Sequence, residues 1–535
     1  MQLINKRKLS SFLIPFLIFT LIIFLRFFAL SKSPPSPYWE EVALGYDAYS
    51  ISQTARDHHG NFLPLVAFES FGDYKPSLYF YVAAVSVKIF GLNVFAVRLP
   101  TILASIAIIF GIAFLSRLLF RHFYLKGNGQ AEEKIFYISL FLATISPWLL
   151  TFSRSAWEST LATALILWGV NFWLLFNSND KLKWAILTVL FLGLSTYTYH
   201  SARITAPLLG LFLVIFYLKK KMNFKALLAA GVVAILVFAP IAKSLFEKSG
   251  GQRIAETSIL SDVSVIEKSN KLKTTYNNSP ISKIIYHRYV LFGEQIVVNF
   301  FSHFNFKYLF VSGDINPRHS IQTFGEFYYF DLLFFVFAII FLLRRKSRAT
   351  HLLLFYLFVA ILPAAFTKAT PHALRTLAAL PVFIVLLSFG VWQFLEIIHN
   401  QKYKNFAMIL IIIVYLLFIV AFFYQLIFVY PNNYKNEWQF GYQELMNKIS
   451  SVKNNYEKVY VSRKQGRPAM YYFFYNQIDP KLVQAANTAA KKDQGEFLSF
   501  ENIEFIDSKD QIDPNKKSLF FDFNNNGSWT FYETK

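Results

Sequence analysis

The sequence predicts an all-α polytopic membrane protein with a small α/β domain at its carboxyl end, and three observations carry that reading. Hydrophobic residues fill 55% of the 535 positions and aromatic residues 19%, more apolar surface than a soluble domain can bury. About eleven apolar runs approach the roughly 20 residues that a helix needs to cross a hydrocarbon core of about 30 Å. Lysine and arginine gather between alternate runs, the asymmetry that sets membrane topology. The formal net charge of +21 is therefore a topological signal, and no nucleic-acid partner is expected.

The runs lie near 11–30, 97–119, 134–150, 159–177, 183–199, 202–218, 224–242, 327–343, 350–367, 373–396 and 406–429. The first follows Lys6-Arg7-Lys8, lacks a small-residue cleavage site and ends at Pro34-Pro35-Ser36-Pro37, so it reads as a retained anchor rather than a removed signal. The other basic clusters are Arg117 with Arg121 and Lys126, Lys181 with Lys183, Lys219-Lys220-Lys221, Arg344-Arg345-Lys346 with Arg348, and Lys402 with Lys404. Together they place the amino terminus in the cytoplasm and the loops 31–96 and 243–326, with the tail from 430, outside. Leu78–Phe90 is apolar but too short to cross, and counting it as a span would invert every later loop. It is expected to lie on the membrane surface.

The loop 243–326 mixes polar stretches, Ser249-Gly250-Gly251 and Asn277-Asn278-Ser279, with an aromatic run from Tyr289 to Phe310 that suits a second surface helix. After Tyr430 the composition turns polar. A helix is expected over Trp438–Ile449 and strands over Lys458–Ser462 and Ser518–Phe523, which divides the chain into a membrane domain, 1–430, and a small extracytoplasmic α/β domain, 431–535. That second domain contains no phosphate-binding glycine loop, metal-ligand spacing or nucleophile motif. Cysteine is absent, which excludes disulfides, thiol nucleophiles and cysteine-bound metals.

Function is concentrated between Tyr38 and Pro76, where Glu40, Glu41, Asp47, Asp73 and Lys75 crowd beside the membrane. Charges there are costly unless they meet water, a partner or a charged substrate. A polytopic transporter or lipid flippase with an external charged gate is the alternative reading. It calls for ionisable residues midway through helices and glycine-broken spans, and this chain has little of either.

Tyr38-Trp39-Glu40-Glu41-Val42-Ala43-Leu44-Gly45-Tyr46, then Gly72-Asp73-Tyr74-Lys75-Pro76, Phe90-Gly91 and Arg98-Leu99-Pro100 resemble the first external loop of membrane glycosyltransferases of the GT-C class. The nearest group is that of the protein O-mannosyltransferases and the lipid A aminoarabinose transferases. Ser146-Pro147-Trp148, Ser153-Arg154 with Glu158, Tyr199-His200-Ser201-Ala202-Arg203, Arg318-His319-Ser320 and Thr370-Pro371-His372-Ala373-Leu374-Arg375 resemble later stretches, so the likeness covers roughly residues 11–430.

The resemblance implies a GT-C fold in the bacterial inner membrane with its active site facing outside. It implies a polyprenyl-phosphate sugar donor and a lipid, glycan or protein acceptor, with membrane lipids around both and inversion at the anomeric carbon. The transferred group would be a hexose or a pentose. Glu40 falls where the family carries an aspartate as the proposed base, one methylene shorter, and Glu41 matches the second acid of that pair.

An attacking hydroxyl needs a proton acceptor and a departing phosphate needs cations, which assigns Lys75 to the phosphate. Asp73 beside Lys75 reads either as a substrate contact or as a local ion pair. Asp47 belongs to the substrate-binding set, and Tyr46 and Tyr74 offer aromatic faces to a sugar. Glu158 reads as a second acid or as a carboxylate favourable to a helix dipole. Arg154, Arg203, Arg318, His319, His372 and Arg375 are candidate phosphate ligands. No cofactor is required by the sequence; a divalent cation between carboxylates and phosphate is compatible with oxygen-ligand chemistry, and no spacing demands one.

Overall fold

The computed structural model describes residues 2–123, 129–217, 224–244, 258–487, 491–524 and 527–534. Lys126, Lys219-Lys220-Lys221 and Ser249-Gly250-Gly251 lie outside the described residues. Each of the eleven apolar runs contains a helix. The first ten helices are α1 (Gln2–Phe27), α2 (Trp39–Thr54), α3 (Leu78–Phe90), α4 (Val94–Phe123), α5 (Gly129–Ile145), α6 (Pro147–Phe152), α7 (Glu158–Asn179), α8 (Leu182–Thr196), α9 (Ala202–Tyr217) and α10 (Phe224–Ser244). Later apolar helices cover Asp331–Arg344, Arg348–Ala365, Leu380–Ile397 and Gln401–Tyr424.

Among the described residues six helices are long and apolar enough to cross a membrane: Val94–Phe123, Glu158–Asn179, Phe224–Ser244, Arg348–Ala365, Leu377–Ile397 and Gln401–Asn433. Leu182–Thr196 and Ala202–Phe216 are apolar but shorter. On α10 the side chains of Leu228, Val232, Ile235 and Leu236 are exposed, as are Leu410, Ile413, Leu417 and Val420 on Gln401–Tyr424. Ridges of bare aliphatic side chains on hydrogen-bonded helices suit hydrocarbon and not water. The protein is a multi-pass membrane protein.

The chain packs as two compact units. One comprises Met1–Arg26, Ala104–Phe152 and Ser159–Phe423; the other comprises Phe27–Leu103, Ser153–Glu158 and Tyr424–Lys535. In the first, the helices Asp331–Arg344 and Leu380–Ile397 meet at Gly390, where a Cβ would stand 1.9 Å from the Phe334 carbonyl oxygen. Only a glycine allows backbones to approach so closely. Where the sequence suggested a surface helix between Tyr289 and Phe310, a helix covers Arg288–Ser302. It exposes Tyr289, Val290, Val297, Val298 and Phe301 while burying Leu291, Phe292 and Asn299.

The second unit holds the charged stretch and the tail. Tyr38–Pro76 is not an open loop: it forms α2 and then an antiparallel hairpin of β1 (Ala67–Ser70) and β2 (Asp73–Pro76), with Phe68 opposite Lys75. Helix α2 starts on two acids that favour its N-terminal dipole and is buried around most of its circumference, so it shows no apolar stripe by which the sequence could have announced it. The 13-residue α3 follows Ser77.

The tail carries a mixed sheet in the order β6-β7-β3-β8-β9, with β3 (Lys458–Ser462), β6 (Ser499–Phe500), β7 (Ile503–Ile506), β8 (Ser518–Phe523) and β9 (Trp529–Thr534). A two-stranded pair is made by β4 (Lys492–Asp493) and β5 (Glu496–Phe497). Central β3 runs parallel to β7 and β8, and Val459 and Val461 are fully buried. The helices Tyr442–Val452, Pro468–Tyr475 and Pro480–Ala486 complete this part, and α2 packs against Pro468–Tyr475, where Tyr46 meets Phe473 at 5.5 Å between ring centroids.

Candidate active site

Helix α2 and hairpin β1–β2 bring three of the sequence candidates together. Lys75 Nζ lies 2.9 Å from Glu40 Oε1 and 3.4 Å from Asp73 Oδ2, the alternation of β2 placing Asp73 and Lys75 on one side. Tyr38 donates its hydroxyl to the other Glu40 oxygen at 3.3 Å. The Lys75 side chain is nearly buried at 10% exposure, whereas that of Glu40 retains 35%. Glu40 therefore remains reachable while its cationic partner is held.

Both Glu40 and Asp73 line a cavity of ≈ 720 Å³ in this unit, with Trp39 and Phe71 on one wall and Arg463, Lys464 and Arg467 of the tail on another. Gly466, at φ +125, allows its backbone to lie against Trp39, since a Cβ would come within 2.7 Å of the indole. The tail cations are tied down. Arg463 pairs with Asp493, Asp507 and Glu496, and Arg467 pairs with Glu496 and covers the Phe71 ring. Burial pushes the Glu496 carboxyl up to about 7, against the pull of Arg463 and Arg467.

Glu41, next in sequence, has a different environment. Arg98 grips it in a bidentate pair, Nε to Oε1 at 2.7 Å and Nη2 to Oε2 at 3.1 Å, while the Ala156 N–H donates to Oε1 at 2.9 Å. Arg98 also donates to the carbonyls of Leu30 and Ser36. Arg154 is fully buried and donates to the carbonyls of Ser33 and Phe28 at 2.8 Å; burial, with Arg98 nearby, pulls its pKa down to about 9. Glu158 is buried in the first turn of α7.

Asp47 is fully buried, accepting from the His58 N–H at 2.8 Å and facing His58 Nδ1 at 2.7 Å. Burial pushes the Asp47 carboxyl up and the His58 imidazole down. Tyr46 is buried with its hydroxyl on the Ile478 carbonyl, whereas Tyr74, opposite Glu69 in the hairpin, is half-buried.

In the other unit, His319 and His372 converge on a residue the sequence reading passed over. Asp314 Oδ2 lies 3.2 Å from His319 Nδ1 and 3.6 Å from His372 Nδ1. Burial raises the Asp314 carboxyl, but His319 and His372 outweigh it and hold it at about 2. Burial, reinforced by His319 and Arg375, pulls His372 well below the usual imidazole range. Arg375 donates to Thr367 Oγ1 at 2.6 Å, the Arg318 N–H donates to Asn316 Oδ1, and Arg203 donates to the Thr196 carbonyl.

Arg98, His58 and Asp314 are the functional-looking residues that sequence reasoning did not select. Asp314-Ile315-Asn316-Pro317-Arg318-His319 carries an Asx-turn pattern that marks a built loop; Arg98 stands in the Arg98-Leu99-Pro100 stretch already noted, and His58 has no local signature.

A multi-pass membrane fold with an acid–lysine pair beside a cavity is the class of protein that these features define. Its fold is similar to that of ArnT from Cupriavidus metallidurans bound to undecaprenyl phosphate, with a TM-score of 0.52 and 10% identity over 94% of this chain and 92% of that one. Weaker likenesses are to apo ArnT from the same organism, TM-score 0.47 at 10% identity over 86% and 84% of the two chains, and to the oligosaccharyltransferase AglB from Archaeoglobus fulgidus in complex with an inhibitory peptide and a dolichol-phosphate. The latter has a TM-score of 0.45 at 11% identity over 97% and 74%. No protein-family model matches the chain, and no curated protein matches it in sequence. The fold is of the GT-C type that the sequence resemblance implied.

Proposed function

We propose that this protein is an integral membrane glycosyltransferase. It transfers a hexose or pentose from a polyprenyl-phosphate donor to a hydroxyl of a lipid, glycan or protein acceptor on the extracytoplasmic face of a bacterial inner membrane, with inversion. The observation that carries the reading is Glu40 at the cavity wall, a reachable carboxylate 2.9 Å from the nearly buried Lys75 ammonium.

The two charges match the two demands of the reaction. As the acceptor oxygen bonds to the anomeric carbon, Glu40 takes its proton, and the bond from that carbon to the phosphate oxygen breaks with its electron pair leaving on the phosphate. Lys75 stabilises the charge that develops there. Lys75 lies between Glu40 and Asp73; an arriving phosphate competes for it and frees Glu40 to act as base. Glu41 is a positioning group, since its pair with Arg98 and its bond from Ala156 fix the first turn of α2.

The test is release of radiolabelled sugar from hexosyl and pentosyl polyprenyl phosphates by purified protein in liposomes. Wild type is expected to release sugar from one donor class and Glu40→Gln to lose that activity. Persistence in the variant removes Glu40 as base, and lipid movement without any release would replace the transferase by a flippase.

A further inference from the structure

We propose that Asp314, His319 and His372 form a binding site for a divalent transition-metal ion, with zinc as the occupant that fits best. The proposal is independent of the Glu40–Lys75 chemistry, because all its residues belong to the other unit.

The geometry is that of a ligand set drawn together around a small ion. A tetrahedral zinc with bonds of about 2.0–2.1 Å to nitrogen and oxygen sets its ligand atoms about 3.3 Å apart. The two separations involving Asp314 Oδ2 are 3.2 Å to His319 Nδ1 and 3.6 Å to His372 Nδ1, and the potential ligand atoms of all three residues lie within 4.8 Å of one another. The two imidazoles approach at 4.9 Å between centroids, so one ion can reach both.

Hydrogen bonding accounts for part of this arrangement only. His319 Nδ1 is within reach of the carboxylate, and so are the Ala373 N–H at 2.7 Å and the Asn316 N–H at 2.9 Å. His372 Nδ1 points at the same oxygen from 3.6 Å, beyond hydrogen-bond distance, and is a buried nitrogen with no hydrogen-bond partner. A buried imidazole nitrogen left unpaired is unfavourable, and a metal ion among the three residues satisfies it.

The outer contacts hold the ligands in place as second-sphere groups do. Ala373 and Asn316 orient the carboxylate, and the His372 N–H donates to His303 Nε2 at 3.1 Å. His303 is fixed in turn by the Asn299 carbonyl, and Phe152 stacks on the His319 ring. Two imidazoles and one carboxylate suit zinc and its first-row neighbours rather than magnesium or calcium. Three protein ligands leave a fourth position for water or an oxygen anion.

The experiment uses the full chain, purified without a polyhistidine tag and stripped with chelator, then loaded with zinc and dialysed. We expect about one zinc per chain by elemental analysis and a higher melting temperature with zinc. His372→Gln is expected to lower zinc affinity at least ~10-fold while melting like wild type in its absence, because His372 Nδ1 makes no hydrogen bond there. Asp314→Asn and His319→Gln should also lose the ion.

Zinc uptake well below one per chain, or uptake unchanged in His372→Gln and His319→Gln, overturns the site. Should the variants not fold, cobalt(II) added to wild type decides the matter: a strong visible absorption marks a tetrahedral nitrogen–oxygen site, and a weak octahedral spectrum rejects it.

Discussion

Glu40 and Glu41 share a peptide bond and differ in every physical respect that matters for chemistry. The side chain of Glu41 is 1% exposed and locked to Arg98, so Glu41→Gln leaves a buried guanidinium without its counter-charge. A loss of about 3–5 kcal/mol is expected, read as a large fall in melting temperature. Glu40 is partly solvated, and its ion pair contributes at most about 1 kcal/mol. Glu40→Gln should therefore melt close to wild type while sugar transfer falls about 10²–10⁴-fold. Equal melting losses in the two variants would contradict this division of roles.

Glu496 supplies a test by pH. Its folded pKa of about 7 stands above the ordinary carboxyl value, so the fold favours its protonated form. The associated stability is present below the unfolded pKa and is lost as pH rises through about 7. Relative to wild type, Glu496→Gln should gain in melting temperature over that rise, and a constant difference would refute the assignment. At this scale the sequence showed Glu40, Asp73 and Lys75 in one charged stretch, whereas the 2.9 Å contact of Lys75 with Glu40, 35 residues away, is a product of folding. Nor was the pairing of Arg98 with Glu41 legible, because 57 residues separate them and no local pattern joins the two stretches in which they stand.

Among the elements, the apolar helices were legible because length and hydropathy declare them, and the strands Lys458–Ser462 and Ser518–Phe523 because β-branched and aromatic residues cluster there. Helix α2 was hidden by its burial on most sides. Its formation matters to the site, since a helix crossing in front of a hairpin fixes Glu40 against Lys75 where an open loop would leave both to diffuse. The contact at Gly390 is a tight joint between two helices. Gly390→Ala would drive a methyl into the Phe334 carbonyl, and overpacking of that kind costs about 1–3 kcal/mol or more. Reduced melting temperature with donor affinity unchanged in the surviving folded fraction is the expected result.

For the whole molecule, orientation in the membrane is the property that places the chemistry. The chain contains no cysteine, so single introduced thiols report sidedness without background. Thr275→Cys, at the exposed last residue of the helix Val263–Thr275, should react with an impermeant maleimide on intact cells. Asn400→Cys, exposed between the helices Leu380–Ile397 and Gln401–Tyr424, should react only after permeabilisation; the reverse pattern would invert the proposed topology.

The sequence by itself determined the membrane class, the apolar helices, the tail's α/β character and the charged stretch that holds Glu40 and Lys75. All of these follow from composition and short-range pattern, which a chain displays without folding. The tertiary structure alone decided which carboxylate is reachable and which is locked, that Tyr46 and Asp47 are buried, and that Asp314 with its loop neighbour His319 meets His372 from a distant loop. Those outcomes depend on burial and on contacts between residues far apart in the chain, and neither is encoded locally.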